Sequence, residues 1–180
     1  MDSVVPQLTD ATQDDFSDIA TLHAKSWQEN YHEVLSADYL KDKVFSERNT
    51  LWIERSTFPK NNQQVIVAKV DGELAGFICV FADNHEKYGT IIDNLHVAAT
   101  FKGCGIGTKL LQVAAKWAYQ FDASLPLYLE VLACNTKAMG FYASLGAKQI
   151  ATAYWHTPCG NQTKEYVYGW HSAKTLICGQ

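Results

Sequence analysis

Side chains at Phe16, Ile19, Ala20, His23 and Trp27 recur every three or four positions, which lays one stripe along a helix between Asp14 and Tyr31. A second helix follows Ser36, whose hydroxyl suits an N-cap, and runs through Tyr39, Leu40, Val44 and Leu51. Beyond the polar residues 59–64 the pattern becomes that of strands, first Val65 to Val70 and then Leu74 to Phe81. Asp71-Gly72 joins them as a type I′ turn, because both central positions of that turn need φ > 0. A third strand, Thr90 to Val97, runs into a turn containing three glycines. From Ile106 the period is helical again, with Ile106, Leu110, Ala114, Trp117 and Phe121 on one face. Leu127 to Leu132 predicts another strand. Asn135 then caps a short helix bearing Ala138, Phe141, Tyr142 and Leu145, which Gly146 stops in a left-handed conformation. Two strands, Lys148 to His156 and Glu165 to Trp170, flank the turn-rich residues 157–163.

Two helices, a three-stranded meander, a helix, a strand, a helix and a hairpin make an α/β (α+β type) sandwich with a mixed sheet. The 180 residues, 47% of them apolar, suit a single domain over 1–180 with one sizeable core. The start MDSVVPQLTD has neither the basic residues nor the apolar run of a secretory signal, and no stretch approaches the ~20 apolar residues that span a bilayer. A cytoplasmic protein without membrane association is the expectation. Cys79, Cys104, Cys134, Cys159 and Cys178 are odd in number and contain no C-x-x-C pair, so they read as reduced thiols. His156 and Cys159 have no partner ligands in sequence, and no metal is expected. A formal charge of -4 with no basic run argues against nucleic acid and is compatible with a cationic substrate.

The segment from Ile92 to Leu111 carries the most chemistry: a strand, a glycine-rich turn and an amphipathic helix in succession. Gly103, Gly105 and Gly107 give the backbone freedom and let a ligand approach. Free amides at the start of the helix then favour an anion, so a phosphate-bearing ligand fits. A Walker A loop and a dinucleotide fingerprint each require glycine where Thr108 stands, which disfavours both.

Lys102-Gly103-Cys104-Gly105-Ile106-Gly107 resembles motif A of the GCN5-related N-acetyltransferase (GNAT) superfamily, with Lys102 in place of the usual Gln or Arg. Residues 129–135, followed by Ala138, Phe141-Tyr142 and Leu145-Gly146, resemble its motif B at the usual distance. The resemblance runs along nearly the whole chain. It implies a mixed, mostly antiparallel twisted sheet flanked by helices, and transfer of the acetyl group of acetyl-CoA to an amine by direct attack in a ternary complex. It also implies cofactor contacts from Leu95, His96 and Val97, from Lys102, Gly103, Cys104, Gly105, Ile106, Gly107 and Thr108, and from Asn135. Cys104 and Cys134 lie near these motifs without a neighbouring base, so no acyl-enzyme is expected.

An alkylamine must lose a proton before it attacks a thioester. The resemblance places a catalytic Glu at Glu130, as in the ribosomal-protein N-acetyltransferase branch, and a thiolate-protonating Tyr at Tyr142. Asp93 is the second candidate base; the acid of histone-type relatives would fall at Ile91. Strand alternation places His96 on the opposite face from Asp93. The family's acceptor enters between the first helices and the final hairpin, where this chain has Trp27, Tyr31, His32 and Tyr39, then Tyr154, Trp155, His156 and Trp170. Trp27, Tyr31 and Trp155 are the chosen acceptor contacts, and the same rings could serve as core or as a homodimer face. Protein N-termini, lysines, polyamines, amino acids and antibiotics all remain open as acceptors. A catalytically silent acetyl-CoA sensor is the alternative function, and a longer acyl donor stays open.

Overall fold

The computed structural model describes residues 5–177; Cys178 lies outside the described residues. The elements are β1 (Gln7–Asp10), α1 (Phe16–Asn30), α2 (Ala37–Asp42), α3 (Val44–Thr57), β2 (Gln63–Val70), β3 (Glu73–His85) and β4 (Gly89–Val97). They continue with α4 (Ile106–Phe121), β5 (Leu127–Leu132), α5 (Thr136–Ser144), β6 (Lys148–His156), β7 (Gln162–Trp170) and α6 (Lys174–Ile177). One seven-stranded sheet has the order β1-β2-β3-β4-β5-β7-β6, and every pairing is antiparallel except β4 with β5. This is the mixed, mostly antiparallel sheet flanked by helices that the family resemblance implies.

The local chemistry explains most boundaries. Ser36 caps α2 by accepting from the Tyr39 amide at 3.2 Å. Asp71 and Gly72 both have positive φ, at 51° and 83°, as the hairpin turn requires. The single helix expected after Ser36 is divided at Lys43, whose φ of -117° turns the axis between α2 and α3. The edge strand β1 and the short α6 had no periodic signal long enough to announce them. The buried face of α4 is Ile106, Leu110, Leu111, Ala114, Ala115 and Ala118. Phe121, expected on it, is 47% exposed.

Two layers of core result. Helix α4 packs small residues and leucines against Ile66, Ile78, Val80 and Leu129 on one side of the sheet. Helices α1 and α3 cover the other side, where Ile19 and Trp52 meet Val67, Phe77 and Cys79. Among the described residues no helix is long and apolar enough to cross a membrane.

Candidate functional site

Strands β4 and β5 hydrogen-bond along only Thr90–Leu127 and Ile91–Tyr128, and then part. The cause lies in β4. Cys79 faces Asn94 and Val80 faces Ile92, so Asp93 is an extra residue without a partner on β3. Such a bulge bends its strand and strengthens the local twist, which carries the rest of β4 away from β5. A cleft of about 1190 Å³ opens between the two strand ends.

The bulge also corrects the expected alternation. Asp93 bonds Arg55 of α3 at 2.8 Å, and His96 bonds Ser26 of α1 at 2.7 Å, so both reach the α1/α3 side of the sheet. The extra residue resets the strand period between them. Past the bulge, Leu95 and Val97 oppose Ile78 and Gly76, and the Ala98 amide bonds the Ala75 carbonyl at 2.9 Å. In that register the amides and carbonyls of Leu95 and Val97 point away from β3, towards the cleft.

The glycine turn forms the mouth. Gly103 and Gly105 have φ of 84° and 76°, and a Cβ at either would meet nothing within 4 Å. Gly105 precedes α4 in the left-handed conformation and offers no side-chain cap. Lys109 donates to the Gly105 carbonyl at 3.1 Å as the first bond of the helix, which leaves the amides of Ile106, Gly107 and Thr108 without backbone acceptors. Gly107 lies under Phe141, where a Cβ would come within 3.2 Å of the ring. Lys102 spans from this turn to Glu29 of α1 at 3.1 Å. The Cys104 side chain is exposed and does not line the cleft, and the Cys134 side chain is likewise exposed outside it.

Acidic and phenolic groups line the β5 side. Glu130 faces Val167 and Leu132 faces Glu165 across adjacent antiparallel strands, so the two carboxylates are diagonal neighbours on one face. Burial, and then the charge of Glu130, pushes Glu165 up to about 7. Partial desolvation at the cleft wall, and then the charge of Asp93, raises Glu130, although its side chain stays exposed. Tyr142 extends from α5 into the same cleft, its phenol held neutral by burial and then by the nearby Tyr31. Asn135 lines the cleft and caps α5, with Oδ1 accepting from the Ala138 amide at 3.1 Å.

The opposite wall is aromatic. Trp27 stacks on Tyr31 with centroids 5.0 Å apart, and Trp155 meets both rings edge-on at 5.6 and 6.1 Å. The three chosen acceptor contacts are thus brought together, with His156 beside them in the lining. Tyr39 and Trp170 are core residues instead, bonded to Glu47 at 2.5 Å and to the Leu145 carbonyl at 2.8 Å. Tyr154 alternates away from Trp155 and is 60% exposed, and His32 is exposed outside the cleft.

Sequence reasoning missed Glu165, Arg48, Arg55 and His23, all of which line the cleft. Glu165 could have been suspected as the one carboxylate of β7, followed by the uncharged run Tyr166-Val-Tyr-Gly-Trp170. The others sit on helices where only the tertiary fold reveals what they face. Among the described residues no group of three or more His, Cys, Asp or Glu could hold a metal.

The model of the acetyltransferase (GNAT) family matches residues 17–147. The chain is 26% identical to the N-acetyltransferase YuaI of Bacillus subtilis over 174 residues, 93% of this chain and 96% of that protein. An N-alpha-acetyltransferase of Sulfurisphaera tokodaii is 32% identical over 93 residues, 47% of this chain and 56% of its own. Among solved structures, a GCN5-related N-acetyltransferase from Rhodopseudomonas palustris superposes with a TM-score of 0.74 at 18% identity, covering 94% of this chain and 97% of its own. The PaiA N-acetyltransferase of Thermoplasma acidophilum in complex with coenzyme A gives 0.69 at 18%, covering 92% and 98%. These two likenesses concern the fold.

Proposed function

The chain belongs to the acetyltransferase (GNAT) family, and from that premise we propose that it transfers the acetyl group of acetyl-CoA to a primary amine by direct attack within a ternary complex. The observation that carries the reading is the parting of β4 from β5 next to the unpaired amides of the glycine turn. One opening thereby offers an anion cradle at its mouth and titratable groups farther in.

The residues present fit coenzyme A. Amides of Ile106, Gly107 and Thr108 at the positive end of α4 would hold the pyrophosphate, and the open space at Gly103 and Gly105 would let it approach. The outward amides of Leu95 and Val97 would bond the pantetheine arm and the thioester oxygen, where they stabilise developing negative charge. Asn135 would add a contact to the arm. Bound acetyl-CoA supplies an activated acyl carbon with a thiolate leaving group.

Glu165 and Glu130 would take the proton of the incoming ammonium, directly or through one water. A carboxyl poised at about 7 is half ionised at neutral pH, close to the optimum for a general base. Asp93 is engaged by Arg55 and would act by charge rather than by accepting the proton. Tyr142 stays protonated throughout the neutral range and would return a proton to the departing sulfur. Trp27, Tyr31 and Trp155 would bind the body of the acceptor. The partial relative named as an N-alpha-acetyltransferase supports an amine as acceptor.

Calorimetry with CoA, followed by thiol release from acetyl-CoA over a panel of amines, tests the reading. Heat and a rise in melting temperature with CoA, together with amine-dependent thiol release, are expected. Tight CoA binding with no release across the panel would favour a sensor; no CoA binding would remove the transferase altogether.

A further inference from the structure

The α1/α3 wall of the cleft carries two hydrogen-bond donors that the fold leaves unused. Arg48, half-buried on α3, lies with its guanidinium 4.2 Å from the centre of the Trp27 ring. Its Nε is buried and has no hydrogen-bond partner, and among the described residues no carboxylate lies within ion-pair distance of it. The nearby Glu47 is engaged instead by the Tyr39 hydroxyl at 2.5 Å.

His23, 1% exposed on α1, is the second donor. Its Nδ1 accepts from the Trp52 indole N–H at 3.0 Å, which fixes the neutral ring as the Nε2–H tautomer. Burial keeps it neutral, and Nε2–H has no acceptor. The two residues share Trp27, which meets the His23 ring edge-on at 5.3 Å. Both line the cleft.

A half-buried guanidinium whose buried Nε lacks an acceptor is costly, as is a buried imidazole N–H without one. A planar carboxylate satisfies both, because it accepts two parallel bonds from an Arg fork and has a lone pair left for a neutral imidazole. The carboxylates Glu130 and Glu165 lie on the other wall, and Asp93, the acid on the α3 side of the cleft, is taken by Arg55, so the uncompensated charges are separated, with acids on β5 and β7 and an unpaired cation on α3. That polarity suits a ligand with the opposite pair of charges.

We propose that the acceptor is a small amine that itself carries a carboxylate, an amino acid or a near relative, with the carboxylate on Arg48 and His23 and the amine turned towards Glu130 and Glu165. The proposal rests on the acetyl-transfer reading for the amine and on the unpaired donors for the acid. Trp27 and Tyr31 then bound the body of the ligand between its two ends.

Matched pairs test it in the wild-type protein: phenylalanine with its amide and phenethylamine, and lysine with its amide and cadaverine. The amide has the less basic amine, so intrinsic reactivity favours the amide at neutral pH. Selection for the free acid therefore reports recognition. The acid should exceed its partners in kcat/KM by about 10- to 100-fold, the worth of charge-assisted hydrogen bonds. In Arg48→Met that ratio should collapse towards one, and in Arg48→Lys it should be partly restored, with CoA binding heat verifying the fold of each variant.

Binding of the same compounds to the CoA-saturated protein, measured by calorimetry, separates the two readings. Arg48-dependent binding of the acids without thiol release upholds the carboxylate site and removes acetyl transfer. Turnover of amides or of the diamine at least as fast as the acids, or a preference untouched in Arg48→Met, overturns the carboxylate site and leaves transfer standing. Absence of both acid binding and turnover overturns it as well.

Discussion

Arg55 holds Asp93 in a 2.8 Å ion pair while its other terminal nitrogen bonds Asn94 at 2.8 Å, so one helical side chain clamps both residues at the bulge of β4. The guanidinium is itself positioned by the rings of Trp52 and Phe81, 5.0 and 5.2 Å away. The clamp stabilises the departure of β4 from β5 and shields the Asp93 charge from its acidic neighbours across the cleft.

The first prediction follows from that shielding. Asp93 already raises Glu130, which in turn raises Glu165. Arg55→Met removes the compensating cation and should move the acidic limb of the kcat/KM profile towards higher pH, by up to about one unit. A limb that stays in place, in a variant with an unchanged melting temperature, would separate the clamp from the base.

Glu165 itself should set that limb. In the free protein kcat/KM should fall as pH drops through about 7, where the carboxyl becomes protonated. Glu165→Gln should remove the limb and slow turnover about 10²- to 10⁴-fold, the usual worth of a general base. Glu130→Gln should shift the limb to lower pH, because one like charge is gone. Stability has its own sign. The folded carboxyl keeps a proton that the unfolded chain releases above the ordinary glutamate range, so stability declines with rising pH from there up to about 7. Melting at about pH 8 should therefore be higher in Glu165→Gln than in the wild type, and the difference should vanish at about pH 4.

The glycine cradle, the helix caps and most strands were legible because each rests on local chemistry: φ > 0 at Asp71-Gly72, a hydroxyl at Ser36, period and punctuation around Gly103 to Gly107. Glu130 and Tyr142 were reached through family likeness, and the fold brings both to the cleft. What stayed hidden depends on pairings between distant segments. The bulge at Asp93 exists only in register with Cys79 and Val80, so strict alternation misplaced His96. Glu165 becomes a neighbour of Glu130 only when β7 inserts between β5 and β6. Arg48 looks like any solvated helix residue until Trp27 is found beneath it.

Gly76 fixes how closely β3 approaches the end of β4. A Cβ there would lie 2.9 Å from the His96 carbonyl oxygen and 3.2 Å from the Leu110 side chain, and the nearer atom is backbone that cannot swing aside. Gly76→Ala should cost about 1–3 kcal/mol of stability in chemical denaturation. It should also weaken CoA binding, since Leu95 and Val97 belong to the displaced segment. Wild-type stability and affinity together would mean that β4 yields at no cost.

At the mouth, Gly105→Glu places both a Cβ and a negative charge beside the unpaired amides proposed to hold the pyrophosphate. The backbone at φ 76° also disfavours any side chain, by about 1–2 kcal/mol. Calorimetric heat with CoA should disappear, and the melting temperature should no longer rise when CoA is added. Gly105→Ala separates the causes: it carries the same strain without the charge, so it should retain measurable binding. If both variants bind CoA like the wild type, the pyrophosphate is held elsewhere.

Tyr142 gives the sharpest division between binding and chemistry. Its ring packs against Phe141 at 5.2 Å and Trp170 at 6.3 Å, contacts that phenylalanine would keep. Only the hydroxyl is lost in Tyr142→Phe, so the fold and the affinity for CoA should persist. If that hydroxyl delivers the proton to the departing thiolate, kcat should fall about 10²-fold or more, while the KM for acetyl-CoA changes little. Without the acid the rate should become more sensitive to the basicity of the departing thiolate, so a donor with a more acidic thiol would recover part of the loss. Measuring kcat with acetyl-CoA and with such an activated thioester checks both halves. An unchanged kcat in Tyr142→Phe would return this ring to a purely packing role and leave protonation of the sulfur to water.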